Sequence, residues 1–133
     1  MRDGVELFTA VYAPRDASPT RRYPILMTRT PFSIAPYGAD AYPQTLGPDE
    51  FTLHDGYIFV YQDVRGRYMS GGIFENVRPL VPDAAKRRDP RLADEATDTY
   101  DTIAWLLAHT AGNNGRVGIW GISYGGFYAV QGV

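Results

Sequence analysis

The sequence predicts an α/β fold with a mostly parallel sheet that is entered by an N-terminal antiparallel strand. Two nearly continuous apolar runs, at 23–30 and 56–64, are typical of central strands that are covered on both faces. A long helical pattern at 94–110 and a short apolar strand at 116–120 follow them along the chain. This order of strands and helix is typical of a layered α/β domain, so we expect the chain to form part or all of one such domain.

The first strand is predicted at 5–12, where "VELFTAVY" alternates in strand fashion. Asp3-Gly4 just before it is a hairpin-turn signal, which makes this strand one half of an antiparallel hairpin. Because only two residues precede the turn, we expect the partner strand to lie outside the chain.

The helix at 94–110 is predicted from its periodicity and its ends. Acidic residues open it, as suits a helix N-terminus, and it stops before Gly112. Its apolar residues recur at helical spacing: Ala96, Tyr100, Ile103 and Leu107.

The most informative motif is "GISYG" at 121–125, which has the pattern Gly-x-Ser-x-Gly. In this pattern the serine occupies a strained turn between a strand and a helix, and the glycines allow close packing around it. A chance match is the alternative. The apolar strand predicted before Ser123 and the helix predicted after it provide the context that the pattern requires. We therefore interpret Ser123 as a nucleophile exposed at the end of a strand.

Two long stretches, 31–55 and 65–93, are predicted as loops. Loops of this length are uncommon in compact domains and are more often functional than merely connecting. We expect both to lie near the strand ends that carry Ser123, where they would form pocket walls.

Composition excludes several classes of function. The 133 residues are 44% hydrophobic and 21% charged with a net charge of −2, and no basic stripe indicates nucleic-acid binding. No apolar run approaches the roughly 18 residues that span a membrane, and "MRDGVELF" lacks the apolar stretch of a signal peptide. Cysteine is absent and the two histidines are far apart, so neither a metal site nor a cofactor is predicted. Cellular compartment and oligomeric state are left open.

Five ordered blocks carry a family resemblance: "MRDGVELFTAVYAP", "RTPFSIAPYG", "QDVRGRYMSGGIF", "DEATDTYDTIAWLL" and "NNGRVGIWGISYGGFYA". Together they resemble the N-terminal part of the catalytic domain of the X-Pro dipeptidyl-peptidase, cocaine esterase and α-amino acid ester hydrolase group of α/β-hydrolases. The resemblance implies an α/β-hydrolase fold, truncated here after the nucleophile turn. It also implies serine hydrolysis of a small-molecule ester or amide, or of a peptide.

Carried over by position, Ser123 resembles the family nucleophile, and the backbone N–H of Tyr124 resembles one donor of the oxyanion hole. The family's second donor is a tyrosine hydroxyl that ends an Arg-Thr-Pro-Tyr segment, but the matching segment here ends in Phe32. Tyr37 is a candidate substitute, and the alternative is that Tyr37 is a packing aromatic in a proline-rich loop.

Two charged residues lie at the end of the predicted strand at 56–64: Asp63 is its second-last residue, and Arg65 directly follows it. Catalytic groups often lie at such positions. The resemblance assigns no further charged residue there to the chemistry, so we interpret them as a structural ion pair or a loop anchor.

The serine also needs a histidine and an acid, which α/β-hydrolases supply after the nucleophile in chain order. Ten residues follow Ser123, and none is Asp, Glu or His. His54 and His109 both precede it, and we expect neither to be the base. Residues 1–133 are therefore interpreted as a partial catalytic domain, incomplete at both ends and inactive alone. The alternative is a silent fragment or a non-catalytic domain of the same fold.

Overall fold

The structure, a computed structural model, describes residues 1–132 without the side chain of Arg87. Its strands are β1 Thr9–Tyr12, β2 Tyr23–Thr30, β3 Ile58–Asp63 and β4 Asn113–Ile119. Its helices are α1 Glu50–Asp55, α2 Asp83–Arg88, α3 Glu95–His109 and α4 Tyr124–Gln131.

The strands form one mixed sheet in the order β1-β3-β2-β4. Strand β2 is parallel to both β3 and β4, whereas β1 pairs with β3 in the antiparallel direction. The predicted α/β class, with parallel central strands and an antiparallel N-terminal strand, is confirmed. The core lies between this sheet and α3, and its fully buried members are Ile25, Met27, Ile58, Val60 and Leu106.

Strand β1 is shorter than predicted, because the backbone of residues 5–8 has other partners. The N–H of Phe8 donates to Ser70 Oγ at 2.9 Å, and the carbonyl of Glu6 accepts from the N–H of Gly71 at 2.9 Å. Among the described residues, the antiparallel neighbour of β1 is β3, and a hairpin strand before Asp3-Gly4 stays a prediction.

Strand β4 begins three residues earlier than predicted. The residues "GNNG" at 112–115 are typical of a turn, which places the predicted start of the strand after them, but Asn113 already pairs with Tyr23 of β2. A register irregularity follows this pair, where the turn-prone residues form a bulge inside the strand instead of preceding it.

Helices α1 and α2 lie inside the stretches that were predicted as loops, so this part of the prediction was wrong. Helix α1 has only six residues and buries none of them, so its sequence carries no apolar periodicity that would indicate a helix. It is stabilised locally, since the Asp49 side chain accepts from the N–H of Thr52 at 2.7 Å.

No helix within the described residues is long and apolar enough to cross a bilayer.

Helix α3 has the predicted ends, but it packs on the sheet through a largely polar face. Asp94 caps it in a reciprocal capping box with Thr97. Tyr100 and Leu107, which belong to the periodic set that predicted the helix, are 69% and 36% exposed. The positions that the fold buries are Glu95, Thr97, Asp98, Thr99, Thr102 and Leu106.

The polar face of α3 is buried because β2 and β3 present matching polar groups. The side chain of Arg29 is fully buried and donates to the Glu95 carbonyl at 3.1 Å and to Thr99 Oγ1 at 2.7 Å. Its Nε donates to Gln62 Oε1 of β3 at 2.8 Å, so the guanidinium is held between the sheet and α3. Burial raises the pKa of the neighbouring Glu95 carboxyl above its ordinary value.

Arg65 anchors α3 at a second point. It pairs with the fully buried Asp98 through hydrogen bonds of 2.9 and 2.6 Å, and with Asp3 at 2.6 Å. Hydrogen bonding to the Asp98 carboxylate raises the pKa of Arg65 above its ordinary value. The N-terminal turn, the end of β3 and α3 therefore meet at one guanidinium.

Replacing Arg65 tests this anchor, because Arg65→Met removes the cation that faces a fully buried Asp98. A buried carboxylate that loses its partner costs about 3–5 kcal/mol, and we expect the free energy of unfolding to fall by that amount in urea denaturation. The double variant Arg65→Met with Asp98→Leu removes both charges and should recover most of the loss. A double variant as unstable as the single one would contradict the explanation by an unpaired charge.

Candidate active site

Ser123 lies in the turn between strand β4 and helix α4. Strand β4 ends at Ile119, the N–H of Trp120 still donates to the Met27 carbonyl at 3.0 Å, and α4 begins at Tyr124. Ser123 is exposed at the carboxyl end of the parallel strands, directly before the first turn of α4. Clefts at this end of a parallel sheet are the usual location of ligand sites.

The backbone of Ser123 has φ 56° and ψ −118°, a conformation that L-residues rarely adopt. Such a conformation costs about 1–3 kcal/mol and persists only where the surrounding structure imposes it. Here the turn is closed by the N–H of Gly125, which donates to the Ile122 carbonyl at 3.0 Å. The turn therefore has the strained strand-to-helix geometry that the motif predicts.

The sharpness of the turn depends on Gly121. A Cβ at this position would lie 2.2 Å from the carbonyl carbon of Gly125 and 2.7 Å from the nitrogen of Gly126, so no side chain fits without backbone movement. Gly125 differs, because a Cβ there would meet its nearest atom, the Arg29 carbonyl oxygen, at an ordinary 3.7 Å. Of the two motif glycines, Gly121 is the one that the turn requires.

We expect Gly121→Ala to lower the free energy of unfolding by about 3 kcal/mol, because the methyl group must displace the first turn of α4. The matched variant Gly125→Ala should stay within about 1 kcal/mol of wild type, since its methyl group has room and alanine favours the helix. Thermal and urea denaturation measure both. Equal stability losses in the two variants would contradict this account of the turn.

Tyr124 is the first residue of α4, and its backbone N–H belongs to the first turn of the helix. The N–H groups of a first helical turn have no partner within the helix and point out of its positive end. This is the arrangement that an oxyanion donor needs, so the predicted role of the Tyr124 N–H is compatible with its position and remains a prediction.

Phe32, where the resemblance expects a tyrosine, packs directly on the turn. Its ring is 65% exposed and makes an edge contact with the Tyr124 ring, with 6.0 Å between centroids. The first long segment thus reaches the predicted site as expected. The side chain at position 32 carries no hydrogen-bond donor.

Tyr37 has a structural partner for its hydroxyl. The hydroxyl donates to Asp63 Oδ2 at 2.8 Å and lies 2.9 Å from Ser33 Oγ. Burial raises the pKa of the Tyr37 hydroxyl, and so does its hydrogen bond to the Asp63 carboxylate. The hydroxyl therefore stays protonated and donates to that carboxylate. Of the two interpretations of Tyr37, the structural one agrees with these contacts.

Asp63 and Arg65 are both structural, but they are not partners of each other. The buried Asp63 carboxylate accepts from the N–H of Ile34 at 3.0 Å as well as from Tyr37, so it anchors the segment that carries Phe32. Arg65 points instead toward α3, where it pairs with Asp98. Both residues are anchors, one for a loop and one for a helix.

The two histidines lie at the opposite end of the sheet from Ser123. His54 lines a surface pocket together with Tyr23, the first residue of β2. His109 ends α3 beside the start of β4, where its Nδ1 lies 2.8 Å from the Trp105 carbonyl and its ring stacks on the Trp105 ring. The eight residues of β2 alone span about 25 Å, so neither histidine can reach the serine hydroxyl.

The second long segment also reaches the site, through a contact that the sequence analysis missed. The Tyr124 hydroxyl donates to Asn76 Oδ1 at 2.7 Å and accepts from the N–H of Val77 at 2.7 Å. Asn76 and Val77 lie 48 and 47 positions before Tyr124, and no sequence motif spans such a distance.

Within residues 1–132, no group of three or more His, Asp or Glu side chains is arranged to hold a metal ion.

Comparison with known proteins agrees with this geometry. The family model for X-Pro dipeptidyl-peptidase (S15 family) matches residues 3–133. A cocaine esterase from Rhodococcus sp. (strain MB1 Bresler) is 36% identical over 124 residues, which are 93% of this chain and 18% of that protein.

Solved structures give the same result. An α-amino acid ester hydrolase superimposes with a TM-score of 0.80 at 37% identity, covering 98% of this chain and 21% of that one. An aminopeptidase from the marine sediment archaeon Thaumarchaeota archaeon superimposes with a TM-score of 0.75 at 35% identity, with coverage of 98% and 21%. The chain thus spans about a fifth of the length of the relatives it matches.

Proposed function

Because the chain belongs to the X-Pro dipeptidyl-peptidase (S15) family, we propose that it carries the nucleophile of a serine hydrolase that cleaves acyl esters or amides through an acyl-enzyme at Ser123. The observation that carries the proposal is the backbone of Ser123, strained at φ 56° and exposed at the N-terminus of α4. Backbone strain of this kind clusters at active sites and ligand clamps.

The reaction has two acyl transfers. Ser123 Oγ attacks the acyl carbon while a base takes the hydroxyl proton, and the C–O or C–N bond then breaks as the leaving group accepts that proton. Water next attacks the acyl-enzyme with the same base, which releases the acid and restores the serine. In both steps the carbonyl oxygen becomes an oxyanion, and the N–H of Tyr124 is the proposed donor to it.

The base is proposed to come from outside residues 1–133, together with the acid that orients it. Both histidines of this chain lie at the other end of the sheet, beside the starts of β2 and β4. Residues 1–133 alone are therefore proposed to be inactive, because an unactivated serine hydroxyl is a weak nucleophile.

A second candidate function is a non-catalytic domain of the same fold. The observation that favours it is Phe32, since losing one oxyanion donor typically costs about a hundred- to a thousandfold in rate. The two candidates differ in whether Ser123 reacts with an acylating probe.

Labelling of the full-length protein with a fluorophosphonate probe tests the nucleophile. We expect covalent labelling at Ser123, and both the label and ester turnover should be lost in Ser123→Ala, turnover by at least about a thousandfold. Ser18→Ala, a serine in the loop before β2, is the matched control and should behave as wild type; residues 1–133 alone should show no turnover. Full-length protein that takes no label, under conditions that label a known serine hydrolase, would favour the non-catalytic domain.

Position 32 allows a test of the oxyanion hole. In full-length protein, Phe32→Tyr adds a hydroxyl to the ring that contacts Tyr124, whose N–H is the proposed donor to the oxyanion. We therefore expect kcat for a simple ester to rise by about tenfold or more. KM should change less, because such a donor acts mainly in the transition state.

Tyr37→Phe is the comparison for this prediction. Its hydroxyl already donates to Asp63 at 2.8 Å, so its loss should weaken the loop without the specific loss of kcat that removing an oxyanion donor causes. An equal or lower kcat in Phe32→Tyr, together with a large loss of kcat in Tyr37→Phe, would assign the second donor to Tyr37 instead.

A further inference from the structure

The side chain of Tyr124 links the predicted nucleophile turn to the segment 73–77. Its hydroxyl makes two hydrogen bonds of 2.7 Å, donating to Asn76 Oδ1 and accepting from the N–H of Val77. We call these two bonds the Tyr124 tether. Because the backbone of Tyr124 directly follows Ser123, the tether holds the segment within the length of one tyrosine side chain of the turn.

The Tyr124 ring contacts three other aromatic rings, which fix the direction of its hydroxyl. It stacks on Tyr128 with 5.1 Å between centroids and an interplanar angle of 15°. Edge contacts with Phe32 and Phe127 at 6.0 and 5.6 Å enclose it further. Aromatic contacts of these geometries are favourable beyond simple burial, so the ring is a rigid support.

The segment itself is strained at the point where the tether holds it. Val77 has φ 49°, which is a genuine outlier for a β-branched residue. An outlier of this kind persists only where surrounding contacts impose it. The N–H of Val77 donates to the Tyr124 hydroxyl, so the tether acts on the strained residue itself.

The base of the segment is fixed by contacts that do not involve Tyr124. Arg78 Nη2 donates to the Ile73 carbonyl at 2.7 Å, and the Arg67 guanidinium lies 5.0 Å from the centroid of the Phe74 ring. The tether therefore fixes the tip at Asn76 and Val77 rather than the whole loop.

The tethered segment presents apolar side chains. Val77 at the tip is 54% exposed and Ile73 at the base is 83% exposed, and Phe32, whose ring contacts the Tyr124 ring, is 65% exposed. Two apolar surfaces from distant parts of the chain are thus held by one ring at the turn that carries Ser123.

We propose that the Tyr124 hydroxyl is a positioning group that holds the tip of segment 73–77, with the side chain of Val77, as part of an apolar wall beside Ser123, so that the wall selects for larger acyl groups. This inference rests on the proposed hydrolase function, and it assigns to the Tyr124 side chain a role separate from that of its backbone N–H. A short acyl group does not reach such a wall, whereas a longer one buries apolar surface on it. The tether should therefore influence KM for long acyl chains.

The test compares p-nitrophenyl hexanoate with p-nitrophenyl acetate in the full-length protein. In Asn76→Ala, which removes one of the two bonds, the ratio of kcat/KM for hexanoate to that for acetate should fall about fivefold, the effect of one ordinary hydrogen bond. Tyr124→Phe removes both bonds and should lower the ratio further, by about tenfold or more. The change should lie in KM for hexanoate. Asn76→Asp keeps an oxygen that accepts from Tyr124 and should retain the wild-type ratio, as should Tyr100→Phe on the exposed face of α3.

Hydrogen exchange of segment 73–77 gives a readout that needs no turnover. Exchange should accelerate in Tyr124→Phe and Asn76→Ala, and remain at the wild-type rate in Tyr100→Phe. An active wild type whose ester ratio and exchange are the same in all variants would overturn the inference alone. Equal losses for both esters would also overturn it, since they indicate general damage. A wild type that hydrolyses neither ester and takes no phosphonate label would overturn the proposed function itself.

Discussion

Two buried arginines hold helix α3 on the sheet, and much of the remaining structure depends on this layer of charge. Arg29 reaches the helix from β2, and Arg65 reaches it from the end of β3. Because Asp98 is fully buried, neither side of its ion pair can be exchanged singly for an apolar group at low cost. Arg29 also lies beneath α4, with its guanidinium 5.7 Å from the centroid of the Tyr128 ring. The layer thus locates both helices that pack on this face, including the one that follows Ser123.

The turn at Ser123 is built on this layer, and its sharpness depends on a glycine. Gly121 lets the backbone of α4 approach within a distance that no side chain would allow, and Ser123 is held in a strained conformation as a result. Two long segments then converge on Tyr124, one through the ring of Phe32 and one through Asn76. Tyr124 is therefore the point where the strained turn at Ser123 meets both long segments. A single side chain in this way links the turn to both segments.

Strand β2 and helix α3 were predictable because each carries its signal locally. The apolar run at 23–30 coincides with β2 from end to end, and the acidic start of α3 corresponds to a capping box at Asp94. The site motif was equally local, since five consecutive residues are sufficient to indicate a strand, a sharp turn and a helix. Helix α1 could not be predicted in the same way, because it buries no residue and its sequence has no apolar period.

By itself, the sequence determined the order of the main elements, the strained strand-to-helix turn at Ser123 and the family resemblance, because all of these depend on neighbouring residues or on ordered blocks. Only the tertiary structure decided which face of α3 is buried, since that choice depends on Arg29 lying opposite Thr99, 70 positions away. It also decided that the Tyr37 hydroxyl serves Asp63, and that the Tyr124 hydroxyl holds a segment 48 positions before it. Hydrogen-bond partners at such separations are selected by the folded backbone, which brings together groups whose local sequence contains no sign of each other.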